Sequence, residues 1–494
     1  MRDYLLGIDV GTTGTKTLLF HKDGTLIASA YRGYPLSTPK VGWSEQDAMD
    51  WWKAIVETIH EVCNAPERAD RVAAISLSVQ GGTFVPVDAD GIPLRPAIVW
   101  NDHRGTVQRE AYLKEVGDAD TMYQKTGWHL GTAMLAMSIR WMRDNEPALF
   151  AKTDKFLSVP DFVSYKLTGV AAADLSSIGI NQLCDIRREK YDEALLNFAG
   201  VTEQQLAKIV HSGEQIGHLT PQAAYELGLS TDVILIAGAH DQYAVALGAG
   251  AMQQDDILIG SGTCWVVTAI GSEPDFASGL SQSVAAVPGM WGSIWSLSSG
   301  GVCLDWMRKQ IACGSDNLPL DYATINQEAC SRRAAEDGLF FYPFVGLSNG
   351  HEKFTKASLV GLDLSHDRYH ITRAIMEGIA FQIAWMMESF KVKPSQAGLK
   401  LAGGASKSTL WCQIVADITG LPVRIPAVAD LACVGAAVMA GSGCGIYSDI
   451  ADGYAHLAVA DRVLLPGPER VKIYRPLFET YKRQAEALGV MYSQ

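Results

Sequence analysis

The sequence predicts an α/β protein of two similar domains that face each other across a cleft, and three observations carry that prediction. The chain opens on a strand, a Gly/Thr turn and a second strand, YLLGIDVGTTGTKTLLF (4–20), and the same order returns in DILIGSGTCWVVTAIG (256–271). A repeat about half a chain apart implies a duplicated domain. Other strand candidates end in glycines or polar residues and alternate with helical spacing, the pattern of an open α/β sheet whose ligand groups sit at strand carboxyl ends. A length of 494 residues also exceeds what one core fills. The expected domains are 1–247 and 248–494.

The opening turn, Gly11 to Thr15, suits phosphate. Its glycines allow close backbone approach, so that N–H groups can face phosphate oxygens, and the Thr hydroxyls and Lys16 add donors. Asp9 ends the first strand. A lone carboxylate beside a polyphosphate is repelled unless a divalent cation lies between them, so Asp9 is expected to partner Mg²⁺, directly or through water. The combination implies a nucleoside triphosphate. Neither the P-loop spacing nor the three-glycine dinucleotide fingerprint is present. On this stretch alone, an ordinary Gly/Thr hairpin at a sheet edge is the alternative.

Composition narrows the classes. Hydrophobic content of 48% fits a globular protein, and a net charge of −13 without a local Lys/Arg cluster argues against a nucleic-acid partner. The nine cysteines are odd in number, scattered and free of Cys-x-x-Cys pairs, which fits reduced, mostly buried thiols. No apolar run reaches membrane-spanning length, and the first strand follows directly on Arg2 and Asp3. A cytoplasmic protein without a membrane partner is expected.

Taken in order, a third strand is expected near Thr25 to Tyr31, followed by the polar loop GWSEQD (42–47). Asp47 then precedes a helix in which Trp51, Trp52, Ile55, Ile59 and Val62 recur at helical spacing, so those tryptophans belong to the core. The strand VAAISLSV (72–79) ends at Gln80, Gly81 and Gly82, and another from Pro96 to Trp100 ends at Asn101, Asp102, His103 and Arg104. Helical patterns dominate from Arg109 to about Thr231, and a strand from Asp232 to Ala237 leads to Gly238, Ala239, His240, Asp241 and Gln242. In the second half, helices are expected from Val302 to Ile311 and from His370 to Phe390. A strand from Leu399 to Ala402 enters Gly403, Gly404 and Ala405, whose small residues suit an adenine–ribose slot, before a helix that starts near Lys407.

Eight motifs occur in order: GIDVGTTGTK (7–16), GWSEQD (42–47), RPAIVWNDHR (95–104), AGAHDQ (237–242), GSGT (260–263), ASLVGL (357–362), HITRAIMEG (370–378) and LAGGASKS (401–408). On these motifs the chain resembles the FGGY carbohydrate kinases over nearly its whole length, since independent motifs in the right order are far rarer by chance than any one alone. The resemblance implies an actin-like, ribonuclease H-like fold around a cleft for ATP and a sugar. It implies that Asp241 takes the proton from the sugar hydroxyl, that Asp9 organises Mg²⁺, and that Gly11, Thr12, Thr13, Lys16, Gly262 and Thr263 hold phosphates. Gly300, Gly301, Gly404, Ala405 and Ser408 would line the nucleotide, and Gln80, Gly81, Gly82, Trp100, Asp102, Arg104 and Gln242 would face the sugar. The chemistry agrees, because phosphoryl transfer needs alignment, charge neutralisation and one carboxylate in reach of the attacking hydroxyl.

Departures bear on the substrate. WSEQD and WNDHR look like xylulokinases, yet those enzymes carry Met-His where this chain has Gly81 and Gly82, and Asn where it has Gln242. Glycerol kinase shares the Gln but has Arg-Glu at the two glycines. Loss of both side chains is expected to enlarge the pocket and remove donors. GLSNGHEK (346–353) lacks the usual Glu-Arg-x-Pro, and Ser138 replaces a signature lysine. His240 either tunes the base or is a satisfied core histidine, and Trp100 either stacks on a sugar or packs. His366 and His370, four apart with no third ligand nearby, are a weak metal pair. The expected function is ATP-dependent phosphorylation of a sugar or polyol, D-xylulose foremost. Kinases of ribulose, L-xylulose, erythritol or glycerol type are alternatives, and a non-kinase actin-like ATPase is a further one. A homodimer is left open.

Overall fold

The computed structural model describes residues 2–311, 318–343, 356–390, 393, 398–428, 430–458 and 460–492. The N-terminal sheet comprises β1 (Tyr4–Val10), β2 (Gly14–His21), β3 (Leu26–Gly33), β4 (Val72–Val79), β5 (Gln215–His218) and β6 (Ile234–His240), in the order β5-β6-β4-β1-β2-β3. Strand β1 is antiparallel to β2 and parallel to β4, a register that sets Asp9 opposite Lys16 on one side and Ser78 on the other. The second sheet comprises β7 (Ile257–Ser261), β8 (Trp265–Gly271), β9 (Ser281–Val284), β10 (Trp291–Leu297), β11 (Leu399–Gly403), β12 (Val423–Ile425) and β13 (Arg462–Leu464), in the order β9-β10-β8-β7-β11-β12-β13. Here β7 is antiparallel to β8 and parallel to β11, β11 is parallel to β12, and β13 closes the edge antiparallel. The pairing pattern repeats that of the first sheet, with β9 added, so the duplication seen in the sequence is one of topology.

Helices α1 (Ala48–Val62), α2 (Asp241–Gly248), α3 (Gly301–Gln310), α4 (Arg368–Met387), α5 (Thr409–Thr419) and α6 (Leu431–Gly443) share their cores with these sheets. Asp47 caps α1 by accepting from the Met49 N–H at 2.9 Å, and Trp51 and Trp52 are buried, as their spacing predicts. Helices α2 and α6 share a core with both sheets, in which Leu5, Leu18 and Ile236 meet Leu258, Ile270 and Ala402 around Ala244, Leu247, Cys433 and Val434. The two helices cross backbone on backbone. A Cβ on Gly248 would lie 2.0 Å from the Leu431 carbonyl oxygen, and one on Gly435 would lie 2.0 Å from that of Ala244. No side chain larger than hydrogen fits either position.

Two expectations need correction. The span 109–231 is not only helical: short strands at Lys155–Ser158, Ala172–Asp174, Cys184–Asp185, Lys190–Tyr191, Lys208–Val210 and Gln215–His218 interrupt it, each too brief to display a period of two. Strand β6 also runs on to His240, because Gly238 absorbs an irregularity between Ile236 and Ala239, where a Cβ would strike the Leu77 carbonyl at 1.7 Å. A small sheet of Glu45–Gln46, Ala97–Ile98, Phe84–Val87 and Lys155–Ser158 stands beside the first domain. Ser138 is buried and donates to the Ala133 carbonyl at 3.4 Å, whereas GLSNGHEK (346–353) lies outside the described residues. Among those residues no helix is long and apolar enough to cross a membrane.

Candidate active site

The two β-turns expected to hold phosphate differ in what surrounds them. In the β1–β2 turn the Gly11 N–H donates to the Gly14 carbonyl at 3.1 Å, and the Tyr34 hydroxyl donates to the Gly11 carbonyl at 2.6 Å. Thr13 is exposed, but Thr12 is tied inward. Its hydroxyl donates to Gln80 Oε1 and accepts from the Trp100 indole N–H, both at 3.0 Å, while Gln46 donates to its carbonyl at 2.5 Å. Gln80 in turn donates to Gln46 at 3.2 Å. Gln80 is therefore buried scaffolding beneath the turn, not an open sugar contact. Gln46 lies within the GWSEQD motif, and nothing local in that motif signals its place as the hub of this network.

Beside that turn, negative charge accumulates. Burial pushes the Asp9 carboxyl up to about 6 from its usual 3.8; Ser78, donating at 2.7 Å, and Lys16 oppose the rise, whereas the charges of Asp241 and Asp430 add to it. Lys16 does not wait free for phosphate. It pairs at 2.5 Å with Asp430, which precedes α6, and loss of hydration is outweighed by that partner, so its pKa rises. Ser78 and Asp430 are site residues that sequence motifs did not single out. A divalent cation fits here: the donors are hard carboxylate oxygens, and the Asp9 anion has one neutral donor and one lysine against two further acids. Among the described residues no group of three metal-ligating side chains forms, so phosphate and water oxygens would complete the shell.

Asp241 is the first residue of α2, directly after β6, and its side chain keeps 35% of its surface exposed. Its Oδ1 accepts from the Gln242 N–H at 2.7 Å and lies 3.1 Å from His240 Nδ1. Trp100 is 45% exposed, so its ring remains open to a ligand while its N–H holds the turn. Asp102 and Arg104 are placed differently from expectation. Both are buried, Asp102 accepts from Arg104 at 2.7, 2.8 and 2.9 Å and from the Ser44 N–H at 2.6 Å, and Arg104 also pairs with Glu45 at 2.9 Å under the Trp43 ring. All four lone-pair positions of that carboxylate are used. These residues brace the strand end instead of facing a sugar.

The glycines at 81 and 82 leave less room than expected. A Cβ on Gly81 would lie 2.5 Å from His240 Cδ2 and 2.6 Å from Nε2, so the imidazole already occupies that space. Gly82 has φ +71°, a conformation that strains any L side chain, and its Cβ position meets Met134 and Trp100 at 3.4 and 3.5 Å.

The β7–β8 turn is uncharged and opens into a cavity of about 710 Å³ lined by Gly262, Thr263, Gly301, Gly404, Ala405 and Ser408 together with Asp305, Tyr322 and Asn326. Helix α3 points its first N–H groups at this turn: Gly301 donates to Gly262 and Val302 to Thr263, each at 3.2 Å. Gly300 does not line the cavity. Its Cβ position lies 2.1 Å from Trp265 Cδ1, so its glycine serves packing. Ser408 caps α5 by accepting from the Trp411 N–H at 3.1 Å and donates to Asn326 at 2.7 Å. Asn326, Tyr322 and Asp305 reach the cavity from helices whose sequence carries no motif.

Residues 4–248 match the family model described as FGGY family of carbohydrate kinases, N-terminal domain, and residues 257–444 match the corresponding C-terminal domain. Xylulose kinase of Bacillus subtilis (strain 168) is 29% identical over 485 residues, covering 97% of this chain and 96% of that protein. Gluconokinase of the same organism is 25% identical over 509 residues, covering 100% of this chain and 98% of that protein. The crystal structure of xylulose kinase from Rhodospirillum rubrum aligns with a TM-score of 0.91 at 25% identity, over 99% of this chain and 100% of that one.

Proposed function

This chain belongs to the FGGY family of carbohydrate kinases, and from that premise we propose that it transfers the terminal phosphoryl group of ATP to a hydroxyl of a ketopentose, D-xylulose foremost. The observation that carries the reading is the gathering of Asp9 and the partly exposed Asp241 at one end of the cleft, with a nucleotide-sized cavity at the second turn. Residues 1–247 then hold the sugar and the base, and residues 248–494 hold the nucleotide.

Asp241 Oδ2 has no donor among the described residues and takes the proton of the acceptor hydroxyl as that oxygen attacks the terminal phosphorus. Gln242, whose side-chain amide makes no hydrogen bond among the described residues, and the open face of Trp100 contact the sugar. Asp102, Arg104 and Gln80 keep those groups in position. The backbone of the β1–β2 turn and Thr13 approach the transferred phosphate, while Gly262, Thr263 and Gly301 hold the rest of the polyphosphate. Asp9 would hold Mg²⁺, which offsets phosphate charge when bound.

The test is ADP release measured with D-xylulose, D-ribulose, L-xylulose, gluconate, erythritol and glycerol. The highest kcat/KM should fall on D-xylulose. A higher value on gluconate or on a polyol replaces the ketopentose reading.

A further inference from the structure

We propose that Gly81 and His240 act as one unit, in which Gly81 gives up a side chain so that the His240 imidazole can hold the Asp241 carboxylate in its productive orientation. The inference rests on the reading of Asp241 as the base.

His240 is 5% exposed at the end of β6, and its backbone N–H donates to Ser176 Oγ at 2.9 Å. Ser176 is itself fixed by Asp174, which accepts from the Ser176 N–H at 2.9 Å and from the Ser177 hydroxyl at 2.8 Å. The ring is confined by Trp128 and Tyr243, with centroids at 5.9 and 6.0 Å, and by Gly81, where even a methyl group would overlap it. In this setting Nδ1 lies 3.1 Å from Asp241 Oδ1.

The Gln242 N–H is within hydrogen-bond reach of both Asp241 Oδ1, at 2.7 Å, and His240 Nδ1, at 3.4 Å. In the proposal the shorter contact keeps that N–H on the carboxylate, and the tautomer with its proton on Nδ1 donates across the 3.1 Å to Oδ1. With Nδ1 as a second donor on Oδ1 the carboxylate is held against rotation, and Oδ2, which makes no hydrogen bond among the described residues, is left for the acceptor hydroxyl. His240 is thus a positioning residue. Its ring also stands where a longer side chain at position 81 would otherwise shape the pocket, so the glycine and the histidine substitute for one another in space.

The experiment is steady-state kinetics of the full chain with saturating ATP, using whichever sugar gives the highest turnover, for His240→Leu, His240→Asn, Gly81→Ala and the double variant Gly81→Ala/His240→Asn, beside Asp241→Asn. His240→Leu, which keeps bulk but removes the donor, should lower kcat about 10- to 100-fold, the scale of a misaligned reacting group, with KM for ATP unchanged. His240→Asn, whose amide can donate from nearly the same place, should recover most of that loss. Gly81→Ala should lower kcat by displacing the ring, and the double variant should lose less than the product of the two single losses. Wild-type kcat in His240→Leu or in Gly81→Ala would overturn the proposal. If His240→Leu fails to fold, Gly81→Ala and the double variant decide the matter, and strictly multiplicative losses there would also overturn it. Failure of the underlying reading looks different: Asp241→Asn itself would then turn over normally.

Discussion

The two β-turns descend from the same strand–turn–strand unit, yet one is buried in charge and polar contacts while the other is neutral and open. Asp9 and Lys16 flank the first, and Thr12 is drawn into hydrogen bonds with Gln80, Trp100 and Gln46. The second carries no charged residue from Gly260 to Trp265, and it borders the cavity of about 710 Å³. A duplicated backbone can thus present two phosphate-sized turns and leave specialisation to a few flanking side chains. Charge at the first suits the reacting end of a nucleotide, where negative charge moves during transfer. Neutrality and volume at the second suit retention of the rest of the molecule.

The largest test removes chemistry while sparing retention. Asp241→Asn should lower kcat about 100-fold or more, as expected for a lost general base, with ATP affinity close to wild type by calorimetry. Loss of ATP binding in that variant would mean that the two ends are not separable. The converse change is Gly301→Val, whose Cβ would come 2.4 Å from the Gly262 carbonyl oxygen and push the second turn out of place. ATP affinity should fall about tenfold or more, the effect of ~1.4 kcal/mol or greater, whereas sugar binding measured without nucleotide should stay within about twofold. Equal losses for both ligands would show that the turn supports the whole cleft.

A smaller effect sharpens the contrast in charge. In the folded protein Asp9 titrates at about 6, above the 3.8 of an unfolded chain, so the folded state binds more protons between those values. Its stability without ligands should therefore fall as pH rises from about 4 to about 6. Asp9→Asn should abolish that share of the decline and be the more stable protein at pH 7.5 by ~1–3 kcal/mol, discounted for partial solvent access. Thermal melting at pH 4.5 and 7.5 reads this directly. Identical pH dependence in the two proteins would overturn the assignment of that decline to Asp9.

What the sequence made legible was local. The hairpins, the Asp47 cap and the core face of α1 follow from contiguous residues whose preferences act over a turn or two. The proposed site was legible only where its candidate residues sit in motifs at strand ends, as Asp9, Asp241 and Gly404 do. Its electrostatics were not, because they arise from pairs far apart in the chain: Ser78 reaches Asp9 across 69 residues and Asp430 reaches Lys16 across 414. The misreading of Gly81 has the same origin. An absent side chain looks like space until the fold shows that His240 fills it. Asp102 and Arg104 show the reverse, since polar residues at a strand end look like ligand groups until their partners Ser44 and Glu45 are found beside them.

The crossing of α2 and α6 limits how this protein can be recombined. Gly248 and Gly435 each let the other helix's backbone into the place a Cβ would take, and a junction made between residues 248 and 257, where the two family matches divide the chain, puts them on opposite sides. A chimera that joins one half of this chain to the other half of a relative inherits both sides of that contact from different parents. It can close only if each parent supplies a glycine at its own side of the crossing. Shuffling at the repeat boundary should therefore succeed or fail on this one pair before any catalytic residue is consulted.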